Sequence, residues 1–219
     1  MRSGSGMSDR TFPDGNGSGP CTLPPRAAAR RDRVIDAARQ LFACNGFHNT
    51  GIAQIARESG VLLGQIYRDF ASKEDIVIAI TQRDTHDFLH DQELRRALEV
   101  RDTAALRRWI ARFIAGEEKA TDRRLVAEII AEASRSPRIA AIVRHIHQSV
   151  RRDMGAALEC LAPGAHLAKR REMLTEVILT ISGGVFHRRL TDGDETTEPV
   201  VAALVEGVER RIDALAQER

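Results

Sequence analysis

From Pro25 almost to the C-terminus, apolar residues recur every three or four positions with no stretch of strict alternation, and this constrains the fold more than any other feature of the chain. A spacing of i, i+3, i+4 and i+7 lays one stripe along a helix, whereas a half-buried strand needs a period of two. In AAARRDRVIDAARQLFACNGF, residues 27–47, Val34, Ile35, Ala38, Leu41 and Phe42 share one face and Gly46 supplies the stop. In TGIAQIARESG, residues 50–60, Ile52, Ile55 and Ala56 face inward, Thr50 or Gly51 caps, and Gly60 ends the element. GVLLGQIYRDFASKED, residues 60–75, then holds barely two helical turns before Ser72 caps a longer helix with Glu74 and Asp75 in its first turn, where acids suit the macrodipole. Further helices are expected over 74–97, 103–118, 121–135, 137–161, 168–190 and 197–217. Turn-like residues 134–136, Ala162, Pro163 and Gly164, and the polar TDGDETTEP at 191–199 separate them. The predicted fold class is all-α.

Residues 1–25 mix Gly, Ser, Pro, Asp and Asn with hardly any apolar side chains, too few to offset the entropy of ordering, so a disordered tail is expected there. The remainder divides into a small domain over 26–73 and a larger helical domain over 74–219. At 219 residues and 42% hydrophobic, the chain can bury a substantial core. Charged residues interrupt every apolar run well short of the roughly 20 residues of a membrane span. No secretory leader pattern is evident, which makes the cytoplasm the default compartment. Cys21, Cys44 and Cys160 are odd in number and widely spaced, which fits neither a zinc site nor a disulfide framework; Cys44 and Cys160 read as small buried hydrophobes, or else as a redox-sensing thiol.

Net charge is only +2, yet between Arg26 and Lys73 eight cations face four anions. A basic N-terminal segment on a slightly acidic body points one end of the molecule at a polyanion. The short third helix fits that assignment. Two helices joined by a tight turn and steadied by a third form a helix-turn-helix, whose second member lies in a DNA major groove about 12 Å wide, so two turns suffice to reach base edges. Ile66 and Phe70, four apart, anchor it; Leu63, Gln65, Tyr67 and Arg68 point outward or sideways.

RVIDAARQLFACNGFHNTGIAQIARESGVLLGQIYRDFASKEDIV, residues 33–77, resembles the DNA-binding domain of the TetR family of bacterial transcriptional regulators. The resemblance rests on the AA-x-x-L-F, N-G-F, T-x-I-x-x-I-A, G-V and I-Y-x-x-F-x-S-K-E spacings taken together. It implies a homodimer whose N-terminal helix-turn-helix domains bind palindromic double-stranded DNA and whose C-terminal helical body binds a small-molecule effector and dimerises, with no cofactor and no catalytic role. Tyr67 and Lys73 match the family's phosphate contacts. Two positions depart from the pattern: Leu62 stands where a capping Ser is usual, and Gly51 where a second threonine is usual, which shifts the expected phosphate contact to Thr50. Gln65 can pair with adenine, and Arg68 can read guanine or hold a phosphate. Arg26, Arg30 and Arg31 either follow the DNA backbone or form an ordinary solvated helix start.

In the larger domain, Phe88, Trp109, Phe113, Ile130, Ile146, Met154 and Phe186 are candidate walls of an effector pocket with His145 or His147 as polar partner, the alternative for each being plain core. Ile178, Ile181, Ser182 and Val185 on one helix and Val201, Leu204, Val205 and Val208 on the last are the candidate dimer interface, with Gly183 and Gly184 permitting close approach; the alternative is packing within one subunit. His86 and His90 in HDFLH have the i, i+4 spacing of a zinc-protease helix, but Asp87 replaces its glutamate and no third ligand is evident. The expected function is a ligand-responsive repressor released from its operator by a small molecule. An activator of the same fold, or a metal-binding helical enzyme using His86 and His90, are the alternatives. The helix after Lys73 is the expected lever between body and reader.

Overall fold

A computed structural model describes residues 25–89, 92–116 and 119–218; the side chains of Pro25 and of residues 84–89 lie outside that description. The described residues form ten α-helices: α1 (Pro25–Asn45), α2 (Ile52–Ser59), α3 (Leu63–Asp69), α4 (Lys73–Leu89), α5 (Gln92–Val100), α6 (Thr103–Ala115), α7 (Ala120–Ala133), α8 (Pro137–Leu161), α9 (Ala168–Thr191) and α10 (Asp194–Gln217). One 3-10 turn, Ala165–Leu167, precedes α9. The chain is all-α, and the tail expected before Pro25 lies outside the described residues, as does Cys21.

Local chemistry sets most boundaries. Gly60 closes α2 in the left-handed conformation (φ 64°), its N–H donating to the Ala56 carbonyl. Ser72 and Asp75 cap α4 reciprocally: the Ser72 N–H donates to Asp75 Oδ2 at 3.0 Å and the Asp75 N–H to Ser72 Oγ at 3.2 Å. Asp102 accepts from the Ala104 and Ala105 amides at the start of α6, and Ser136 from the Ile139 amide at the start of α8, with Pro137 in the first turn. Two boundaries differ from expectation. The span 74–97 holds two helices rather than one. The final helix begins at Asp194, three residues early, because its acidic first turn meets two arginines that favour starting there. Pro199 therefore falls inside α10, at the cost of one helical hydrogen bond.

Two cores organise the helices. The first joins Val34, Ala38 and Phe42 of α1, Ile55 of α2, Ile66 of α3 and Ile76, Val77 and Ile80 of α4 to Leu125 and Ile129 of α7 and Ile139 of α8. The N-terminal core thus runs past residue 73 into the larger domain. Helices α1, α2 and α3 bury too little apolar surface by themselves, and α4, α7 and α8 complete it. Arg39 with Asp122, Arg83 with Asp36, and Arg138 with Asp75 add ion pairs of 2.7–2.8 Å between the same elements. Partly exposed pairs of this kind contribute about 0–1 kcal/mol each, so they set orientation more than stability.

The second core gathers α5, α6, α8, α9 and α10 around Leu106, Ile110, Met154, Leu158, Ile178 and Ile212. At its edge Arg189, largely buried, donates to the Ala115 carbonyl, to Asp194 and to Glu198, while the buried Arg123 donates to both Asp194 carboxylate oxygens at 2.9 Å. One guanidinium pair therefore ties the ends of α6 and α9 to α7 and α10. Cys160 packs half-buried against this core, but Cys44 is exposed, contrary to expectation, because Ala38 and Phe42 already fill the inner face of α1. No helix among the described residues is long and apolar enough to cross a membrane.

Leu106 is fully buried and Met173 is 66% exposed. Leu106→Ala is expected to lower the unfolding free energy by about 2–5 kcal/mol, and Met173→Ala to change it by less than about 0.5 kcal/mol, as read from urea midpoints.

Candidate nucleic-acid interface

The seven-residue α3 is held from below by Val61, Ile66 and Phe70, all buried among α1, α2 and α4. Its outward face carries Leu63 and Tyr67 in one i, i+4 row and Gly64 and Arg68 in the next, all exposed. Leu62 precedes them as N-cap, provides no side-chain cap, and is 72% exposed. Of the expected readers, Leu63, Tyr67 and Arg68 therefore share one surface, while Gln65 sits half-buried at its flank.

Thr50 and Lys73 are placed differently from expectation. Thr50 is fully buried, and its hydroxyl donates to the Gly46 carbonyl at 2.8 Å, so it closes the loop between α1 and α2 instead of facing outward. With Gly51 as N-cap no side chain accepts from the first turn of α2, and the Gln54 side chain makes only the return bond, its Oε1 accepting from the Gly51 N–H at 2.7 Å. The Lys73 ammonium turns inward as well: Nζ donates to the Phe47 carbonyl at 2.6 Å and the Thr50 carbonyl at 3.0 Å, and lies 4.1 Å from the centre of the Phe47 ring. Burial pushes this ammonium below the usual lysine range, against the nearby Glu132 carboxylate, which raises it. Two of its three protons are used to hold the loop that carries α2.

The same loop is also held by α7. Glu128 Oε2 accepts from the Phe47 N–H at 2.8 Å, and the buried Glu132 lies 2.9 Å from His48. Nothing in the spacing of the sequence pairs residues 81 and more positions apart, and only the absence of a side-chain cap around Gly51 hints that the loop needs outside partners.

Arg30 and Arg31 close on the end of α3. Arg30 donates bidentately to Asp69 at 2.7 and 2.8 Å, and Arg31 donates to the Asp69 carbonyl at 2.9 Å while its guanidinium lies 4.2 Å from the Phe70 ring centre. Asp69 is the one acid of α3, and its pairing with Arg30 holds its carboxyl below the ordinary carboxylate range. Arg26 remains exposed at the start of α1.

In the body, Trp109, Phe113 and Met154 come together in the second core, but the other described pocket candidates do not join them as walls of one cavity. Met154 is fully buried in the second core and Trp109 nearly so, with Phe113 stacked on Trp109 at 5.9 Å. Ile146 and Phe186 are half-buried. Ile130 is 48% exposed and His145 and His147 are exposed, because Leu125 and Ile129 take the inner positions of α7, and Val150 and Met154 those of α8. Phe88 and His86 belong to α4 but their side chains lie outside the described residues, as does His90 altogether.

The expected dimer stripe also turns inward. Ile178, Val185, Val201 and Val208 are buried within the subunit, Ile181, Leu204 and Val205 pack partly against the same core, and the Ser182 hydroxyl donates to the Phe113 carbonyl at 3.2 Å. The most apolar stripe of each helix satisfies its own core first. Among the residues that α9 and α10 leave exposed are Thr180, Gly183, Gly184 and His187 on α9 and Ala202 and Ala203 on α10.

Residues 34–80 match the family model described as bacterial regulatory proteins, tetR family. The chain is 31% identical over 132 residues to the HTH-type transcriptional regulator UidR of Escherichia coli strain K12, a match covering 58% of this chain and 64% of that protein. Among solved structures, Salmonella enterica GusR aligns with a TM-score of 0.61 at 23% identity, covering 89% of this chain and all of GusR. A protein from Saccharomonospora viridis, solved in complex with choline, aligns with a TM-score of 0.65 at 16% identity over 85% of this chain and 96% of its own. These likenesses in structure show a shared fold.

Because the folded-state carboxyl of Asp69 titrates below its unfolded value of about 3.9, its contribution is complete above that pH and is lost as pH falls through the lowered value. Asp69→Asn is expected to speed amide hydrogen exchange at the C-terminal end of α3 at neutral pH while leaving exchange in the second core unchanged, and native exchange at α3 is expected to approach that of the variant only below about pH 4.

Proposed function

We propose that this chain, which belongs to the tetR family of bacterial regulatory proteins, is a homodimeric, ligand-responsive transcriptional regulator that reads a two-fold symmetric DNA site with α3. The observation that carries this function is the outward face of Leu63, Gly64, Tyr67 and Arg68, exposed on a seven-residue helix anchored by Ile66 and fixed at its end by Arg30 and Arg31. Tyr67 and Arg68 contact phosphate and base edges, and Gln65 reaches an adenine from the flank. Thr50 and Lys73 act behind this face by holding the loop that carries α2.

Dimerisation uses the exposed small residues of α9 and α10, where Gly183 and Gly184 would let a partner helix come close. The regulator is a repressor, released from DNA when a small molecule binds the body. Choline in the Saccharomonospora viridis protein supports small-molecule binding in a body of this fold without identifying the effector here. Its action is a population shift: the effector favours a body conformation in which the two α3 helices no longer match half-sites one DNA turn apart. Two elements transmit it. The first is α4, which begins at Lys73, and the second is α7, whose Glu128 and Glu132 grip residues 47 and 48.

Selection from a pool of random DNA duplexes at fixed salt, followed by sequencing of the bound fraction, tests this function. The native chain is expected to enrich a palindrome, and a Tyr67→Ala, Arg68→Ala double variant to bind that palindrome at least about tenfold more weakly, each lost contact being worth about 1–3 kcal/mol. Enrichment of no site, or equal enrichment by the variant, would remove α3 as the reader.

A further inference from the structure

The reading face combines two exposed leucines with a glycine. Leu62 is 72% and Leu63 44% exposed, although the other large apolar residues of this segment, Val61, Ile66 and Phe70, are buried. Leu62 stands at the N-cap, where a Ser, Thr, Asp or Asn would bond to the first turn of α3, so the position forgoes a local stabilisation. Gly64 lies beside them, and a Cβ built on it would meet nothing within 4 Å. The one acid of α3, Asp69, is turned away and neutralised by Arg30, which leaves Arg68 as the charge on the outward face.

An apolar surface bordered by an arginine is complementary to a narrow class of DNA edges. The phosphates meet the cation, and among major-groove base edges thymine alone offers an apolar group, its C5 methyl; the other edges offer polar donors or acceptors whose burial against leucine would leave them unsatisfied. Resting on α3 as the DNA reader, we infer that each operator half-site presents thymine methyl groups to Leu62 and Leu63, with Gly64 leaving room for the start of α3 to press against the base edges. Sequence specificity then arises in part from apolar contact, with hydrogen bonds from Gln65 and Arg68 adding to it.

The test uses deoxyuridine, which pairs as thymine does and lacks only the methyl. An operator is first selected from the random duplex pool with the full native chain. Its half-site thymines are then replaced singly by deoxyuridine, and affinities are titrated at fixed low salt, so that weakened complexes stay measurable. The native chain is expected to bind roughly fourfold more weakly for each contacted methyl removed, the value of burying one such group. The Leu62→Ala and Leu63→Ala variants, whose side chains are exposed and whose far-ultraviolet dichroism should match native, are each expected to lose sensitivity to one methyl while keeping it at the others. Equal native affinity for thymine and deoxyuridine duplexes overturns the inference, as does unchanged sensitivity in both variants, which would assign the leucines to a protein partner instead. A selected half-site without thymine overturns this inference alone. If no duplex is selected, α3 is not a DNA reader and the proposed function falls with it.

Discussion

The Lys73 ammonium, 2.6 Å from the Phe47 carbonyl and 3.0 Å from that of Thr50, is the interaction on which the geometry of the N-terminal end depends. These carbonyls belong to the loop that sets the angle between α1 and α2, and α3 follows α2 after only Gly60, Val61 and Leu62. A lysine at the first residue of α4 thus acts on the placement of α3 through the loop and α2. The position is demanding, because a partly desolvated ammonium must find acceptors to offset the loss of water, and the two carbonyls with the Phe47 ring provide them.

The same loop is where the body takes hold. Glu128 accepts from the Phe47 amide while Lys73 donates to the Phe47 carbonyl, so one residue is held by both α4 and α7. Beneath it, Leu125 and Ile129 of α7 share a core with Phe42, Phe47 and Val77. A close-packed junction of this kind transmits displacement instead of absorbing it. The ion pairs of Asp122 with Arg39 and of Asp75 with Arg138 add to the same junction.

Elements governed by local chemistry were legible in the sequence: the span of α8 between Ser136 and Ala162, the stop at Gly60, the cap at Ser72, and the anchoring of α3 by Ile66 and Phe70. Residues whose roles depend on distant partners were not. Thr50 reads as an outward hydroxyl until the carbonyl of Gly46 is seen to accept from it, and Arg30 reads as a free cation although Asp69, 39 residues away, binds it. The apolar rows of α9 and α10 were legible, but whether a partner chain or the same subunit covers them was not, because periodicity gives the face of a helix and not what covers it; Ile178 and Val208 lie in the subunit's own core. In α10, which starts directly after Gly193 at its N-cap, the pairing of Asp194 with Arg123 and Arg189 outweighed the helix-breaking tendency of Pro199, a competition between local and tertiary terms that the sequence leaves open.

The salt dependence of DNA binding by Lys73→Met tests the central claim most directly. If Lys73 holds the loop and touches no phosphate, affinity for the selected operator falls while the slope of log affinity against log salt concentration stays that of the native chain. A slope shallower by about one, the signature of a lost phosphate contact, would contradict the account, as would native affinity in the variant.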